Sequence, residues 1–211
     1  REEVSSLCSE LIRIRSENPP GEMKEIAAVV EDILRKADLT VERIVGPSGQ
    51  PSVIGRLDLG DGPTLLLNGH MDVVPAGDLT RWSWDPFGGE ERDGYILGRG
   101  ASDMKGGLAA LLVALSTISE QPHLHGQIVF MAVPDEETGG VNGTRFLLEQ
   151  GITGDVCLIA EPSGINPTIG QKGNLWLKAI THGVSAHGSL SPAVGVNAIR
   201  MMNRVIDALY R

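Results

Sequence analysis

Cysteine is nearly absent: Cys8 and Cys157 are the only two in the chain. One falls in an amphipathic helical pattern and the other inside an apolar, strand-like run, so both read as small buried hydrophobes. That excludes a disulfide framework and points to a reducing, cytoplasmic compartment. Long apolar stretches are missing too. The chain opens Arg1-Glu2-Glu3-Val4 without a segment of signal-peptide type, and no later run is read as membrane-spanning, which takes about 20 residues. An initiator Met is also lacking, which is compatible with trimming at the start and with a removed export signal. Positive charge is in deficit, with 18 Lys and Arg against 27 Asp and Glu and a net charge of -9. A nucleic-acid backbone or an anionic membrane surface is therefore disfavoured as a partner, while bound cations could cancel several of the acids. There is no internal repeat and no low-complexity tract. The phosphate-cradling Gly-x-x-x-x-Gly-Lys-Ser/Thr arrangement is absent. A serine-hydrolase reading fails as well, because Gly183-Val184-Ser185-Ala186-His187 has His where the nucleophile elbow needs its final glycine.

What the chain does have is enough apolar residue, 41% of 211, to build a real core. Val4, Leu7, Cys8, Leu11 and Ile14 fall at helical spacing, as do Ile26, Val29, Val30, Ile33, Leu34 and Ala37, with Asn18-Pro19-Pro20-Gly21 breaking the pattern between them. Strands are predicted at Val41–Val45, Ser52–Leu57, Thr64–Asn68, Ile128–Val133 and Val156–Ala160, and further helices around Leu108–Ile118 and Gly143–Gln150. Strands buried on both faces and interleaved with helices predict an α/β layered domain, residues 1–173, with a central mixed sheet flanked by helices. From 174 to 211 the pattern changes to an alternating strand and a helix bearing Ile199, Met202, Val205, Ile206 and Leu209. This reads as the first β-α unit of a smaller α+β lid or dimerisation domain, cut short at Arg211.

The candidate chemistry sits where apolar strands end. Leu65-Leu66-Leu67 runs into Asn68-Gly69-His70-Met71-Asp72, and His70 and Asp72, two apart, point to one side of an extended chain. Asp72 could ligate or could fix the imidazole tautomer of His70. Asp103 follows Gly98-Arg99-Gly100-Ala101-Ser102, where capping of the next helix is the simpler role. Lys105 reads as a surface or packing lysine. Asp135-Glu136-Glu137 leaves the strand ending at Val133, and three adjacent acids repel unless they are solvated or meet cations. One of the glutamates could bind a metal while its neighbour takes a proton from a metal-bound water. Glu161 closes the run Val156–Ala160. By contrast Glu90-Glu91-Arg92-Asp93 reads as a solvated turn, and His123, His125 and His182 as solvent-facing or packing residues. One imidazole and several carboxylates at the carboxyl ends of strands make a hydrolytic metal centre the expected chemistry.

Together, Gly-His-Met-Asp-Val-Val-Pro, Gly-Arg-Gly-Ala-Ser-Asp-Met-Lys-Gly-Gly, Asp-Glu-Glu-Thr-Gly-Gly, Ala-Glu-Pro-Ser and Ser-Ala-His-Gly-Ser with Gly-Val-Asn-Ala-Ile resemble one family. It is the co-catalytic zinc peptidase and deacylase family of acetylornithine deacetylase, succinyl-diaminopimelate desuccinylase, aminoacylase and glutamate carboxypeptidase. The resemblance implies two divalent ions, zinc with cobalt as an alternative. Asp103 would bridge them, His70 and Glu161 would complete one site, and Glu137 would bind the other. Glu136 would be the general base, Asp72 would orient His70, and the Asp103-Met104 peptide would be cis. His187 matches a lid-domain histidine that reaches across a homodimer to polarise the scissile carbonyl. The family's last metal-ligand histidine has no counterpart here, so the resemblance covers an amino-terminal portion and predicts a weakened Glu137 site.

The implied substrate is a small N-acyl amino acid or peptide, cleaved at an amide next to a free carboxylate. Glu161, where aminopeptidase relatives tend to carry Asp, leans towards deacylase or carboxypeptidase chemistry. Gly195-Val196-Asn197-Ala198-Ile199 leans towards the deacetylase and desuccinylase branch. The alternatives are a metallo-exopeptidase on the same scaffold and, for a chain naturally this short, a non-catalytic metal-binding or dimerisation module.

Overall fold

Five apolar segments expected as strands all form, and their pairing explains the architecture. A computed structural model describes residues 2–119, 121, 123–164, 166–173, 175–190 and 193–211. Strands β1 (Thr40–Val45), β2 (Pro51–Asp58), β3 (Thr64–His70), β6 (Gln127–Val133) and β7 (Val156–Ile159) make one sheet in the order β1-β2-β6-β3-β7. Between β3 and β6 lies a separate pair, β4 (Glu90–Arg92) and β5 (Tyr95–Leu97). β1, β2 and β6 are antiparallel neighbours, whereas β3 runs parallel to both β6 and β7. The sheet is therefore mixed, and the parallel trio sends three carboxyl ends to the same edge.

Helices cover both faces. α1 (Glu2–Arg13), α2 (Lys24–Lys36) and α3 (Gly106–Ile118) bury Leu11, Ile26, Val30, Leu34, Leu108 and Leu112 in one core layer with Val53, Leu67 and Phe130 of the sheet. On the other face Leu147 of α4 (Thr144–Glu149) packs with Ile54, Leu66, Val129 and Met131. Neighbouring residues of a strand thus enter opposite layers, as Leu66 and Leu67 do, because strand side chains alternate. Burying each such side chain contributes about 1.5–3 kcal/mol.

α2 stops where Asp38 takes a left-handed conformation (φ 60°), letting Leu39 N donate to the Leu34 carbonyl and Asp38 N to that of Arg35. α1 carries Glu2 and Glu3 in its first turn and Arg13 in its last, charges that suit the helix dipole. Its closing carbonyls are met by Lys105, which is fully buried and donates from Nζ to Leu11 O at 2.9 Å and Ile14 O at 2.7 Å. The surface role considered for Lys105 is thereby excluded, and packing is what the side chain does. Burial lowers its pKa to about 8, against the smaller upward pull of Cys8 and Glu17.

Four other expectations need correction. Cys157 is exposed, not buried, because β7 has a strand partner on one side only and none of its residues is covered. Residues 90–93 are not a simple turn: Glu90–Arg92 is an exposed strand, and only Asp93-Gly94, both with positive φ, turns the hairpin. The alternation at Leu175, Leu177, Ala179 and Thr181 does not produce a strand among the described residues. Leu175, Trp176 and Leu177 are all exposed, and an extended segment without a ladder partner is not a strand. Finally, one helical stretch, Ala101–Ile118, does reach spanning length by composition. It is broken at Asp103 and Met104, and its Leu108, Leu112 and Leu115 are fully buried in the core.

The chain separates into two compact units, Arg1–Ile165 and Asn166–Arg211, whereas the pattern change placed the domain boundary near 174. Within the second unit, Val184 and Val196 form an antiparallel bridge and α5 spans Ala198–Leu209. Asn197 caps α5 by accepting from Arg200 N at 3.1 Å. Ile199, Ile206 and Leu209 on this helix are exposed.

Candidate metal centre

The three parallel strand ends deliver the chemistry. β3 ends at His70, paired in register with Val133 of β6, and Asn68 pairs with Ile159 of β7. Asp135, Glu136 and Glu137 follow β6, and Glu161 follows β7. The register therefore brings residues from positions 70, 136, 137 and 161 to one edge. Asp103 arrives from the loop before α3, whose first turn lies against the end of β7. A Cβ on Gly107 would sit 2.0 Å from the Ala160 carbonyl oxygen, so only glycine fits there.

His70 is buried, and its Nε2 lies 3.0 Å from Asp103 Oδ1, 3.2 Å from Glu161 Oε1 and 3.9 Å from Glu136 Oε2. Nδ1 faces the Asp72 backbone carbonyl at 2.8 Å. A carbonyl can only accept, so Nδ1 carries the proton and Nε2 is the nitrogen turned to the carboxylates. Candidate ligand atoms of His70, Asp103 and Glu137 lie within 4.8 Å of one another, and so do those of His70, Glu136 and Glu161. This grouping differs from the implied one, which set Glu136 aside as base. Asp103 does not cap α3: the capping position is Lys105, with no side-chain cap, and Asp103 faces His70 instead. Its peptide bond to Met104 is cis, as are Asn18-Pro19 and Pro19-Pro20.

Asp72 is fully buried, and its carboxylate serves both His70 and the neighbouring loop. Oδ1 is 3.4 Å from His70 Nδ1, but it also accepts from Glu136 N at 3.2 Å, while Oδ2 accepts from Glu137 N at 3.3 Å. Of the three adjacent acids only two face the site. Asp135 is buried and accepts from Asn142 N at 2.7 Å and Asn142 Nδ2 at 3.1 Å, which braces the loop from behind.

Burial pulls the imidazole pKa down, but hydrogen bonds to Asp72 and Glu161, and their charges, overcome this and push it up to about 11. Desolvation raises Glu136, with His70 pulling down and Glu161, Asp72 and Asp103 pushing further up. Glu137 is raised by desolvation and by Asp103. Such a set, carboxylates held at close range with one buried ring among them, is the donor chemistry that divalent cations relieve.

His187 belongs to the second unit, is exposed, and its Nδ1 lies 2.8 Å from Ser189 Oγ. His123, His125 and His182 are exposed, as expected. Sequence reasoning missed Asn18, Thr138 and Met104. Asn18 donates to Asp72 at 3.1 Å, and Met104 Sδ accepts from His70 N at 3.1 Å. The only signal for Asn18 was a polar residue opening a proline-glycine break.

The profile of peptidase family M20/M25/M40 matches residues 66–208, which includes every strand end of the site. The chain belongs to this family. Among curated relatives of this M20-family chain, the succinyl-diaminopimelate desuccinylase of Methylobacterium nodulans is 41% identical over 199 residues, covering 86% of the chain and 49% of the relative. Among solved structures, an M20 family metallo-carboxypeptidase from Sulfolobus solfataricus is 27% identical at a TM-score of 0.66, over 76% of this chain and 37% of that one. A tripeptidase from Staphylococcus aureus shares the fold at a TM-score of 0.71 and 24% identity, over 98% of this chain and 56% of that one. The M20-family chain thus spans about half the length of the curated relatives it matches.

Proposed function

We propose that this chain carries the metal-binding part of an amide hydrolase that removes an acyl group from a small N-acyl amino acid. The observation that supports it best is the convergence on His70 Nε2 of Asp103, Glu161 and Glu136 within 3.0 to 3.9 Å. The desuccinylase relative, 41% identical, supports the choice of substrate class.

In this reading His70, Asp103, Glu137 and Glu161 would hold two divalent cations, zinc by preference and cobalt as a substitute, with Asp103 serving both. When bound, such a pair lowers the pKa of a water towards ~7 and stabilises the developing oxyanion. Glu136 takes the proton from the attacking water and returns it to the leaving amine. Its upward pKa shift suits a base working near neutrality. Asp72 fixes His70 through the backbone and keeps Glu136 and Glu137 in place through its carboxylate. His187 polarises the scissile carbonyl from a second copy of the chain, residues from about 174 forming the lid through which two copies pair. An exposed free thiol at Cys157 suits a reducing, cytoplasmic setting.

Among the described residues His70 is the one imidazole at the site, so a cation bound by it with Asp103 and Glu161 would be held more tightly than one resting on Asp103 and Glu137. Titrating the metal-free chain with Zn²⁺ tests this: one tight equivalent and one weak are expected, and a structure with two fully occupied zincs would contradict it. Turnover is tested with N-succinyl-diaminopimelate and N-acetylornithine, and Glu136→Gln abolishes it while leaving the tight cation in place. A metallo-exopeptidase is the second reading, favoured by the carboxypeptidase relative. Faster cleavage of unblocked dipeptides than of either acyl substrate would select it.

A further inference from the structure

Asn18 lies in the Asn-Pro-Pro-Gly break between α1 and α2, far in sequence from every residue of the site, yet it is buried. The segment 16–18 pairs with the chain just beyond His70. Val73 N donates to Ser16 O at 3.0 Å, Asn18 N donates to Val73 O at 2.9 Å, and Ser16 Oγ donates to Met71 O at 2.7 Å. This extra rung fixes the exit of β3 after its own ladder has ended.

The Asn18 side chain then crosses to the exit of β6. Its Nδ2 lies 3.1 Å from Asp72 Oδ2, 3.3 Å from Pro134 O and 3.1 Å from Thr138 Oγ1. A carboxylate and a carbonyl only accept, so these partners fix which end of the amide carries the hydrogens. Pro134 and Thr138 flank Asp135-Glu136-Glu137, and Asp72 receives the amides of Glu136 and Glu137. One neutral amide therefore ties the β3 exit to both ends of the loop bearing the two glutamates. It also supplies a donor to a fully buried carboxylate that no Lys or Arg approaches among the described residues. Leaving such an acceptor short is costly, and the strain falls on the loop.

We propose that Asn18 is a positioning residue, setting where Glu136 and Glu137 stand relative to His70. The cation consequence rests on the reading under Proposed function; the positioning itself does not. The variants are Asn18→Leu, similar in size without the donor, and Asn18→Asp, which sets a second carboxylate against Asp72. Leu34→Ala, in the core of α2, is the control for general destabilisation.

Two measurements on the 211-residue chain separate the possibilities. In the metal-free protein, hydrogen exchange at the Glu136 and Glu137 amides accelerates at least tenfold in Asn18→Leu relative to Leu34→Ala. Calorimetric titration with Zn²⁺ shows 10- to 100-fold weaker affinity in Asn18→Leu, more in Asn18→Asp, and little change in Leu34→Ala. Unchanged exchange at both amides overturns the proposal, whether or not the chain binds zinc. Failure of the parent chain to bind Zn²⁺, with exchange altered as expected, instead overturns the metal reading and leaves Asn18 in its positioning role.

Discussion

β6 and β7 are alike as sequence and opposite as structure. Each is a short apolar run that empties into acid, Ile128–Val133 into Glu136 and Glu137, Val156–Ile159 into Glu161. β6 lies between two strands and is buried from its second residue to its last, whereas β7 is an edge strand with every residue exposed. Hydrophobicity states what a strand is able to bury; its place in the sheet decides whether it does. The site inherits only part of the difference. His70, Asp72 and Asp135 are held by buried hydrogen bonds, whereas the two acids nearest His70 from these strands stay open to solvent whichever strand delivers them, Glu136 at 53% and Glu161 at 36%.

The comparison breaks first in the core. Phe130→Ala in β6 is expected to cost about 3–5 kcal/mol, read by chemical denaturation. A loss below ~1 kcal/mol would mean that β6 is no better packed than β7. Next comes pH. His70 has a folded pKa of about 11 against an unfolded value near 6.5, so the folded chain holds more protons across that window. Its contribution is complete below about pH 6.5 and is lost as pH rises towards 11. The thermal midpoint of the metal-free chain should fall between pH 7 and 9, and saturating Zn²⁺ should remove that slope by replacing the proton. A slope identical with and without Zn²⁺ would detach His70 from cation binding.

Removing one buried carboxylate, after β3, and one at the open edge, after β7, sharpens the contrast. Asp72→Ala leaves the Glu136 and Glu137 amides and Asn18 without their acceptor, at about 1–3 kcal/mol, and weakens Zn²⁺ binding as well. Glu161→Gln should weaken Zn²⁺ binding with little change in the metal-free melting temperature; equal destabilisation by both would erase the distinction. The smallest effect belongs to β7 itself. Leu158→Ser, at a site 48% exposed, should change stability by no more than about 0.5 kcal/mol in the same denaturation experiment.

Much of this was legible in advance. The 3.6-residue spacing in α1 and α2 and the unbroken apolar runs of β3 and β6 name both the element and its buried residues, and glycines or acids mark where each run stops. His70, Asp103, Glu136, Glu137 and Glu161 could be picked out because they stand at those stops. The division of work among them could not. That Asp103 faces His70 rather than capping α3 depends on a loop conformation. That Asp72 grips the Glu136 and Glu137 amides depends on the register of β3 with β6, and local pattern carries neither. Asn18 was opaque for the same reason, its partners lying 54 to 120 positions away. Lys105 was opaque because a buried lysine is disfavoured until a helix end turns out to face it.

By itself the sequence determined the elements, the apolar faces and the residues capable of chemistry, since these follow from spacing along one chain. Only the tertiary structure decided which strand became an edge, which acid met His70 and which merely braced a loop. Those outcomes depend on contacts between segments far apart in the chain, where a shift of one residue in register would exchange the inward and outward faces.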